Sequence, residues 1–424
     1  MVDAPAPIMC KSVPEVVPIG VLHAIRVELT KHISESPANR VTIRFACVNV
    51  KIRIVHAVIR MVNIDRLRRD VQITEPNGGH VRIESLPKVS AYLVKPFQLR
   101  YILISAYPVF LSQSRLSAPQ LRAFRDICAC RTAALGSHIE QCDNCSRQTI
   151  AYDSCRNRHC PKCQSSAGDK WLLARSAELL PVPYSHVVFT LPGELSELAL
   201  QNRRIVYNIL FRAVSETLLT IAADPRHLGA QLGFLAVLHT WSQKLLHHPH
   251  LHCLIPAGGL SPDRSRWVRS RRRFFLPIAV LRKMFRGKFL SLLAAAFRNE
   301  QLRFSGRRTH LAAANAFDRF LRQLRGKTWV VYAKRPFGGP EHVIKYLARY
   351  THRVAISNGR LTEIKDHQVT FRWRDSADSN QQKLMTLDAV SFIGRFLLHI
   401  LPSGFVKIRH FGFMANRRIT PDEH

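Results

Sequence analysis

Apolar residues recur with two different periods along the chain, and the two periods predict a mixture of helices and strands. Spacings of three and four residues indicate helices, whereas short β-branched runs between turn residues indicate buried strands. Helices are predicted at 117–134 with Ser117 as N-cap, 169–180, 194–223, 277–302, 311–325 and 341–350. Strands are predicted at 184–191, 233–240, 250–256, 328–333, 353–357, 360–365 and 367–374, with Asn358-Gly359 as a tight turn. Helices mixed with antiparallel hairpins predict an α+β fold.

The first 115 residues carry no motif that indicates a function. The stretch 41–64 is rich in Val, Ile and Arg and fits a strand as well as a helix. We interpret residues 1–115 as an extension of unknown role, either disordered or read from a wrongly assigned start codon. Two domains are predicted after it, a zinc-binding domain at 116–175 and a catalytic domain at 180–424.

The chain is strongly basic, with 63 Lys and Arg residues against 29 Asp and Glu residues and a formal net charge of +34. A surplus of this size indicates a polyanionic partner, and nucleic acid is the first candidate. Ribosome-associated and membrane-surface proteins are the alternative classes. No apolar run of about 18 residues and no signal peptide is recognisable, so we expect a soluble protein of the cytoplasm, associated with the nucleoid and without a membrane partner.

Two cysteine pairs predict a structural zinc site. Cys142 and Cys145 are separated from Cys160 and Cys163 by 14 intervening residues, a spacing typical of tetrahedral zinc. Cys155 and His159 are further candidate ligands, and Cys130 and His138 leave a second zinc or an exchanged ligand open. Basic residues among the ligands favour contact with DNA phosphates, although a solvated face would look the same. They include Arg156, Arg158 and Lys162.

A run of histidines at 247–252 predicts a divalent metal site. On a strand that begins at Pro249, His250 and His252 point to the same face, because side chains alternate with period two. His239, at the end of the preceding strand, is the best third ligand, with Gln243 and His248 as alternatives. We expect Mg²⁺ or Mn²⁺, with zinc as an alternative by ligand softness. We expect His247 and His248, which precede Pro249 in the turn, to face solvent or substrate. The alternative to a metal site is a neutral histidine-rich turn.

Tyr346 and Tyr350 lie four residues apart on a predicted helix and therefore share one face. Two packing aromatics are the ordinary interpretation of such a pair. Their basic neighbours favour a phosphate site and a stabilised phenolate instead. These neighbours include Lys345, Arg349 and Arg353. A tyrosine that attacks a phosphodiester would form a 5′-phosphotyrosine link and free a 3′-hydroxyl.

Several segments together resemble transposases of the insertion sequence 91 family. They are residues 155–164, 186–192, 239–241, 248–259, 329–341, 346–358 and 404–416. The resemblance implies an HUH-nuclease domain with a central antiparallel sheet flanked by helices, preceded by a small zinc-binding module. It also implies rolling-circle-like transposition, with single-stranded element ends and target DNA as partners. By the same resemblance, His250 and His252 are metal ligands, and Tyr346 and Tyr350 are the nucleophiles.

Other functions share parts of this pattern. A plasmid replication initiator or a conjugative relaxase has the histidine pair and a tyrosine, but relaxases commonly place the tyrosine near their start. A zinc-containing DNA-binding regulator without catalysis would leave the histidines and tyrosines unexplained. In the C-terminal segment, Lys407 and Arg409 are candidates for the DNA-binding face.

Overall fold

A computed structural model describes part of the chain, and the fold is given for that part. The described residues are 28–30, 41–44, 71–74, 80–82, 98–143, 145–176, 179–270, 276–337, 354–375 and 377–415. The chain divides after Pro96 into two compact units. The predicted helix at 341–350, and with it Tyr346 and Tyr350, lies outside the described residues.

The described strands fall into five sheets. They are β1 (Glu28–Thr30), β2 (Val41–Arg44), β3 (Val71–Thr74), β4 (His80–Arg82), β5 (Ser137–Gln141), β6 (Gln148–Tyr152), β7 (Tyr184–Thr190), β8 (Gly233–Trp241), β9 (His247–Pro256), β10 (Gly258–Leu260), β11 (Trp267–Arg269), β12 (Val330–Phe337), β13 (Leu361–Lys365), β14 (Gln368–Asp375), β15 (Gln381–Asp388) and β16 (Ile408–Gly412). The first four form the sheet of the N-terminal unit, in the order β1-β2-β3-β4.

The described α-helices all belong to the second unit. They are α1 (Leu99–Gln113), α2 (Ala118–Ala129), α3 (Pro161–Ser176), α4 (Ser196–Gln201), α5 (Arg203–Ala223), α6 (Ile278–Arg298), α7 (Ala314–Gly326) and α8 (Ala389–Leu397). Helix α2 begins as its sequence predicts, because the Gln120 side chain accepts hydrogen bonds from the backbone and hydroxyl of Ser117.

The central sheet of the second unit has five antiparallel strands in the order β12-β7-β9-β8-β16. Alternation divides its side chains between two faces. One face carries residues such as Phe189, Leu238 and Leu251, which are buried in a core with α5, α6 and α7. We call this the helix face and the opposite one the open face. This mixture of an antiparallel sheet and packed helices confirms the α+β prediction.

A second core joins the zinc-binding region to the C-terminal half of the unit. Strands β13, β14 and β15 form a three-stranded antiparallel sheet, and α8 packs beside it. Leu99 and Ile102 of α1 are buried in the same core as Phe392 and Ile393 of α8. Helix α1, which falls within the expected 1–115 extension, is therefore part of the second unit's core.

Helix α5 is long and apolar enough to cross a membrane, but 67% of its most apolar stretch is buried inside the protein. Leu210 and Val214 lie at its centre and are fully buried. A helix hidden in this way serves as a core element of the fold.

Several predicted boundaries were wrong. Strand β9 begins at His247 rather than at Pro249, and residues 354–357 are not a strand. Asn358 and Gly359 lie in a short 3₁₀ turn, so the three-stranded meander starts at Leu361 and ends with β15, which was not predicted. The helix expected at 194–223 breaks at Asn202 into α4 and α5.

Candidate functional site

Three histidines converge on the open face of the central sheet. His239 lies on β8, and His250 and His252 lie on the neighbouring strand β9. His239 is directly opposite His250 in the antiparallel register, so the three imidazoles occupy adjacent positions. One potential ligand atom from each ring lies within 4.8 Å of the others. The structure thus brings together the three residues predicted as metal ligands.

Hydrogen bonds orient two of these rings. Nδ1 of His250 lies 2.6 Å from the backbone carbonyl oxygen of His248, and Nδ1 of His252 lies 2.9 Å from Nε2 of His186 on β7. When Nδ1 of each ring donates to its partner, Nε2 is left unprotonated and can bind a metal. The ring of His239 stacks on Trp241, with centroids 4.5 Å apart.

The composition of this group fits a divalent metal ion. Three imidazoles with no carboxylate among them leave coordination positions for substrate and water, as catalytic metal sites require. The fallback ligand His248 does not belong to the group formed by the described residues. Metal binding by these three residues is therefore consistent with both their geometry and their chemistry.

His247 has a structural role instead. It is buried on the helix face, where Nδ1 lies 2.9 Å from the Ser196 hydroxyl and Nε2 lies 2.8 Å from the Tyr207 hydroxyl. Burial, together with the positive charges of His399 and Arg203, lowers the pKa of His247 to about 3. The expectation that this residue faces solvent or substrate was wrong, because the strand extends two residues further than Pro249 suggested.

Four cysteines form a second group, which lies where the zinc-binding domain was predicted. They are Cys130 at the end of α2, Cys155 in the loop after β6, and Cys160 and Cys163 around the start of α3. Three of the sulfur–sulfur distances in this group are 3.5 to 3.6 Å, and all the sulfur atoms lie within 4.8 Å of one another. Zinc with four thiolate ligands at about 2.3 Å needs sulfur atoms about 3.8 Å apart, so this cluster fits a tetrahedral zinc ion.

The other predicted pair lies elsewhere. Cys142 and Cys145 are at the tip of the β5–β6 hairpin, and both are exposed. The structure therefore does not bring Cys142 and Cys145 into one group with Cys160 and Cys163. That these two thiols bind zinc stays a prediction.

The pKa values of two thiols in this cluster, Cys160 and Cys130, are shifted in opposite directions. A hydrogen bond with Cys155 lowers the pKa of Cys160 to about 5, whereas burial raises the pKa of Cys130 to about 11. A Cys160 thiolate is thus favoured at neutral pH beside a protonated Cys130. A metal cation would displace the remaining protons, which is the ordinary coupling between thiolate ligation and zinc binding.

The zinc-binding region is held against the C-terminal segment by side chains that flank the cysteines. The guanidinium of Arg158 donates to the carbonyl oxygen of Phe405 at 2.7 and 2.5 Å. Nε2 of His159 accepts a hydrogen bond from the backbone of Leu401 at 3.3 Å. Arg158, predicted to contact DNA, and His159, a candidate zinc ligand, therefore both form contacts within the protein.

The remaining predicted DNA-binding residues are scattered. Arg156 is exposed, whereas Lys162 and Lys407 are partly buried. Arg409 lies over the ring of Phe211, 4.1 Å from its centroid, and donates to Asn208. Lys345, Arg349 and Arg353 lie outside the described residues, as do both tyrosines.

Two residues in or beside the histidine and cysteine groups were not among the main predictions. His186 could have been suspected from its place in a β-branched strand, but its partner is set by the register between β7 and β9, which is not readable from sequence. Cys130 was only an alternative ligand, because its spacing from the other cysteines matches no simple motif.

Comparisons with known proteins agree with this arrangement. The transposase family model Y2_Tnp matches residues 233–420, and a model described as "Transposase zinc-binding domain" matches residues 102–191. The chain is 56% identical over 302 residues to the transposase y4qJ of Sinorhizobium fredii, covering 71% of this chain and 76% of that protein.

A more distant relative is the transposase for insertion sequence element IS801 of Pseudomonas savastanoi pv. phaseolicola. It is 27% identical over 337 residues, which cover 77% of this chain and 78% of that protein. No solved structure matches the chain. A zinc-binding domain with a four-cysteine cluster, a sheet with a histidine triad and extensive identity to a transposase have one common explanation: the chain belongs to the insertion sequence 91 family of transposases.

Proposed function

We propose that this transposase nicks and rejoins single-stranded DNA at the ends of its element through 5′-phosphotyrosine intermediates, driving rolling-circle-like transposition. The observation that carries the proposal is the convergence of His239, His250 and His252 on the open face of the sheet. Their imidazoles leave coordination positions that a phosphate oxygen can occupy. We expect Mg²⁺ or Mn²⁺ there, where it would polarise the scissile phosphate, and structural zinc at the four-cysteine cluster.

The nucleophile in this proposal is Tyr346 or Tyr350. Its phenolate oxygen forms a bond to phosphorus, the bond from phosphorus to the leaving 3′-oxygen breaks, and that oxygen takes up a proton to become a 3′-hydroxyl. Rejoining is the reverse reaction with a different 3′-hydroxyl. The link to tyrosine conserves the energy of the broken bond, and two tyrosines permit two successive transfers.

Basic residues would hold the DNA backbone, and the strongly positive chain favours this. The proposed contacts are Arg156, Arg158, Lys162, Lys345, Arg349, Arg353, Lys407 and Arg409. For Arg158 and Arg409, the contact would add to the hydrogen bonds that they form within the protein. We place the protein in the cytoplasm, at the nucleoid.

The test is formation of a covalent protein–DNA adduct. Wild-type protein is incubated with a labelled single-stranded oligonucleotide that carries the element end, with Mg²⁺ or Mn²⁺, and the products are separated under denaturing conditions. We expect an adduct that protease treatment removes. The double variant Tyr346→Phe, Tyr350→Phe should form none, because it lacks both phenolic hydroxyls.

Replacing His252 by Ala in the same assay separates catalysis from binding. The adduct should disappear while affinity for the oligonucleotide changes little, since affinity comes mainly from contacts to phosphates. An adduct that persists in the tyrosine double variant would refute the nucleophiles. Equal loss of binding and cleavage in His252→Ala would instead make the histidine structural.

A further inference from the structure

The open face of the central sheet has an exposed apolar rim beside the histidines. Val330 and Tyr332 on the edge strand β12 are 54% and 52% exposed. The alternate residues of the same strand, Val331 and Ala333, pack into the core on the helix face. Alternation therefore places the side chains of Val330 and Tyr332 on the same face as the histidine triad.

The strand register connects this rim to the metal ligands. Tyr332 is opposite Val188 of β7, and Val188 is opposite His252 of β9. Tyr332 thus lies in the same row across the sheet as His252, two strand spacings or about 10 Å away. In the next row on this face, Val330 is opposite Thr190 of β7, and Thr190 is opposite His250 of β9. The floor between rim and histidines is formed by the partly buried side chains of Val188 and Thr190.

A large aromatic side chain on such a rim indicates a ligand with an apolar face. Within the part of the chain that the structure describes, the Tyr332 hydroxyl has no hydrogen-bond partner and its ring stacks on no other ring. Nucleobases on either side of a cleaved phosphate must rest on the surface that borders the metal site. Base–aromatic stacking contributes about 1–3 kcal/mol per base and tolerates any sequence.

We propose that Tyr332 is a stacking platform for a nucleobase of the single-stranded DNA whose phosphate occupies the histidine site. The inference rests on the proposed function for its location, and it adds a substrate contact to it. Stacking at this distance would fix the DNA strand next to the cleaved bond and keep the flanking base away from a complementary strand. Tyr332 acts through its ring, so its hydroxyl takes no part in the chemistry.

Binding of single-stranded DNA tests the proposal without any cleavage. Fluorescence anisotropy with a labelled oligothymidine is measured on the full-length protein, with its structural zinc and without added Mg²⁺ or Mn²⁺. Tyr332→Ala should bind about 5- to 150-fold more weakly, the range that corresponds to stacking of one base. Tyr332→Phe keeps the ring and should bind like wild type. Tyr152→Ala, which removes a tyrosine that is 47% exposed on β6, is the matched control and should change little.

A second measurement locates the contact. An oligonucleotide with 2-aminopurine at successive positions should show quenching at one position in wild type and in Tyr332→Phe, and no such quenching in Tyr332→Ala. Unchanged affinity in Tyr332→Ala, or an equal loss in Tyr152→Ala, would overturn the proposal. A change of oligomeric state in Tyr332→Ala, measured by light scattering, would also overturn it, because the rim would then bind a second copy of the chain. If wild type forms no covalent adduct, the proposed function fails while this binding result stands.

Discussion

The imidazoles on the open face are held by partners of different kinds. His250 is oriented by a backbone carbonyl, which the strand itself supplies, whereas His252 is oriented by another side chain, His186. His186 is buried, with only 3% of its surface exposed. A side-chain partner can be removed by substitution without disturbing the backbone. Substitution of His186 therefore tests the orientation of the His252 ring separately from metal binding by that ring.

Substitution of His186 by Ala should weaken metal binding about 10- to 100-fold, the usual effect of removing the partner of a metal-bound histidine. His186→Gln should restore part of the affinity, since its side-chain oxygen can accept the hydrogen bond from Nδ1 of His252. Isothermal titration with Mn²⁺ measures both, and His310→Ala, at an exposed position, is the control. Equal affinities in wild type and His186→Ala would show that the hydrogen bond does not position the ligand.

The convergence of His239, His250 and His252 on one face could be predicted from the sequence, because local alternation decides which face a strand residue occupies. Prediction from sequence could not find His186, whose contact depends on pairing between strands about sixty residues apart in sequence. It misjudged His247 because a proline was taken as the start of β9. Pro249 is accommodated inside the strand, and its carbonyl accepts a hydrogen bond from Leu191 of the neighbouring segment.

At the scale of secondary-structure elements, the four clustered cysteines of the zinc-binding region come from separate segments of the chain. Cys130 ends one helix, Cys160 and Cys163 flank the start of another, and Cys155 lies between the hairpin and the second helix. The hairpin β5–β6 lies between Cys130 and Cys155 and carries Cys142 and Cys145 on its tip. The pair spacing predicted zinc binding equally for Cys142 and Cys145 and for Cys160 and Cys163. Burial distinguishes two sets in the structure: the exposed pair on the hairpin tip, and the four-cysteine cluster, in which Cys160 and Cys163 are buried.

The two sets should differ in their response to substitution. Cys160→Ser removes a ligand from the buried cluster and should lower the zinc content by about one ion per chain, with a lower melting temperature, because zinc binding contributes to folding. Cys142→Ser should retain the zinc of the buried cluster. Mass spectrometry of the metal content and thermal unfolding measure these effects. Full zinc content in Cys160→Ser would contradict the assignment of the cluster.

On the scale of the whole molecule, the C-terminal half of the second unit holds the turn between β8 and β9, the two strands that carry the histidine triad. Three consecutive carbonyl oxygens of that turn, those of Gln243, Lys244 and Leu245, are each bound by a different side chain. These side chains are Arg360, Arg395 and His399. The turn is thus anchored by residues more than a hundred positions away. Such anchoring fixes the relative position of β8 and β9 at the end where His239 faces His250.

Arg395→Met should loosen this turn. Loss of one hydrogen bond from a charged donor costs about 1.5–3 kcal/mol, so the melting temperature should fall. Hydrogen exchange in residues 241–247 should become faster, whereas Arg282→Met, at an exposed position of α6, should leave it unchanged. Exchange that is equally slow in Arg395→Met and wild type would show that the other two contacts are sufficient.

The order of strands in the central sheet also sets an order of assembly. Its three inner strands come from residues 184–256, whereas its edges come from residues 330–337 and 408–412. Inner strands can pair as soon as they leave the ribosome, but the edges must wait for long-range contacts, which form slowly. A growing or prematurely terminated chain could therefore bring His239, His250 and His252 together before it contains Tyr346 and Tyr350. In this sequence of events, the proposed nucleophiles are added last, after the histidine triad has formed.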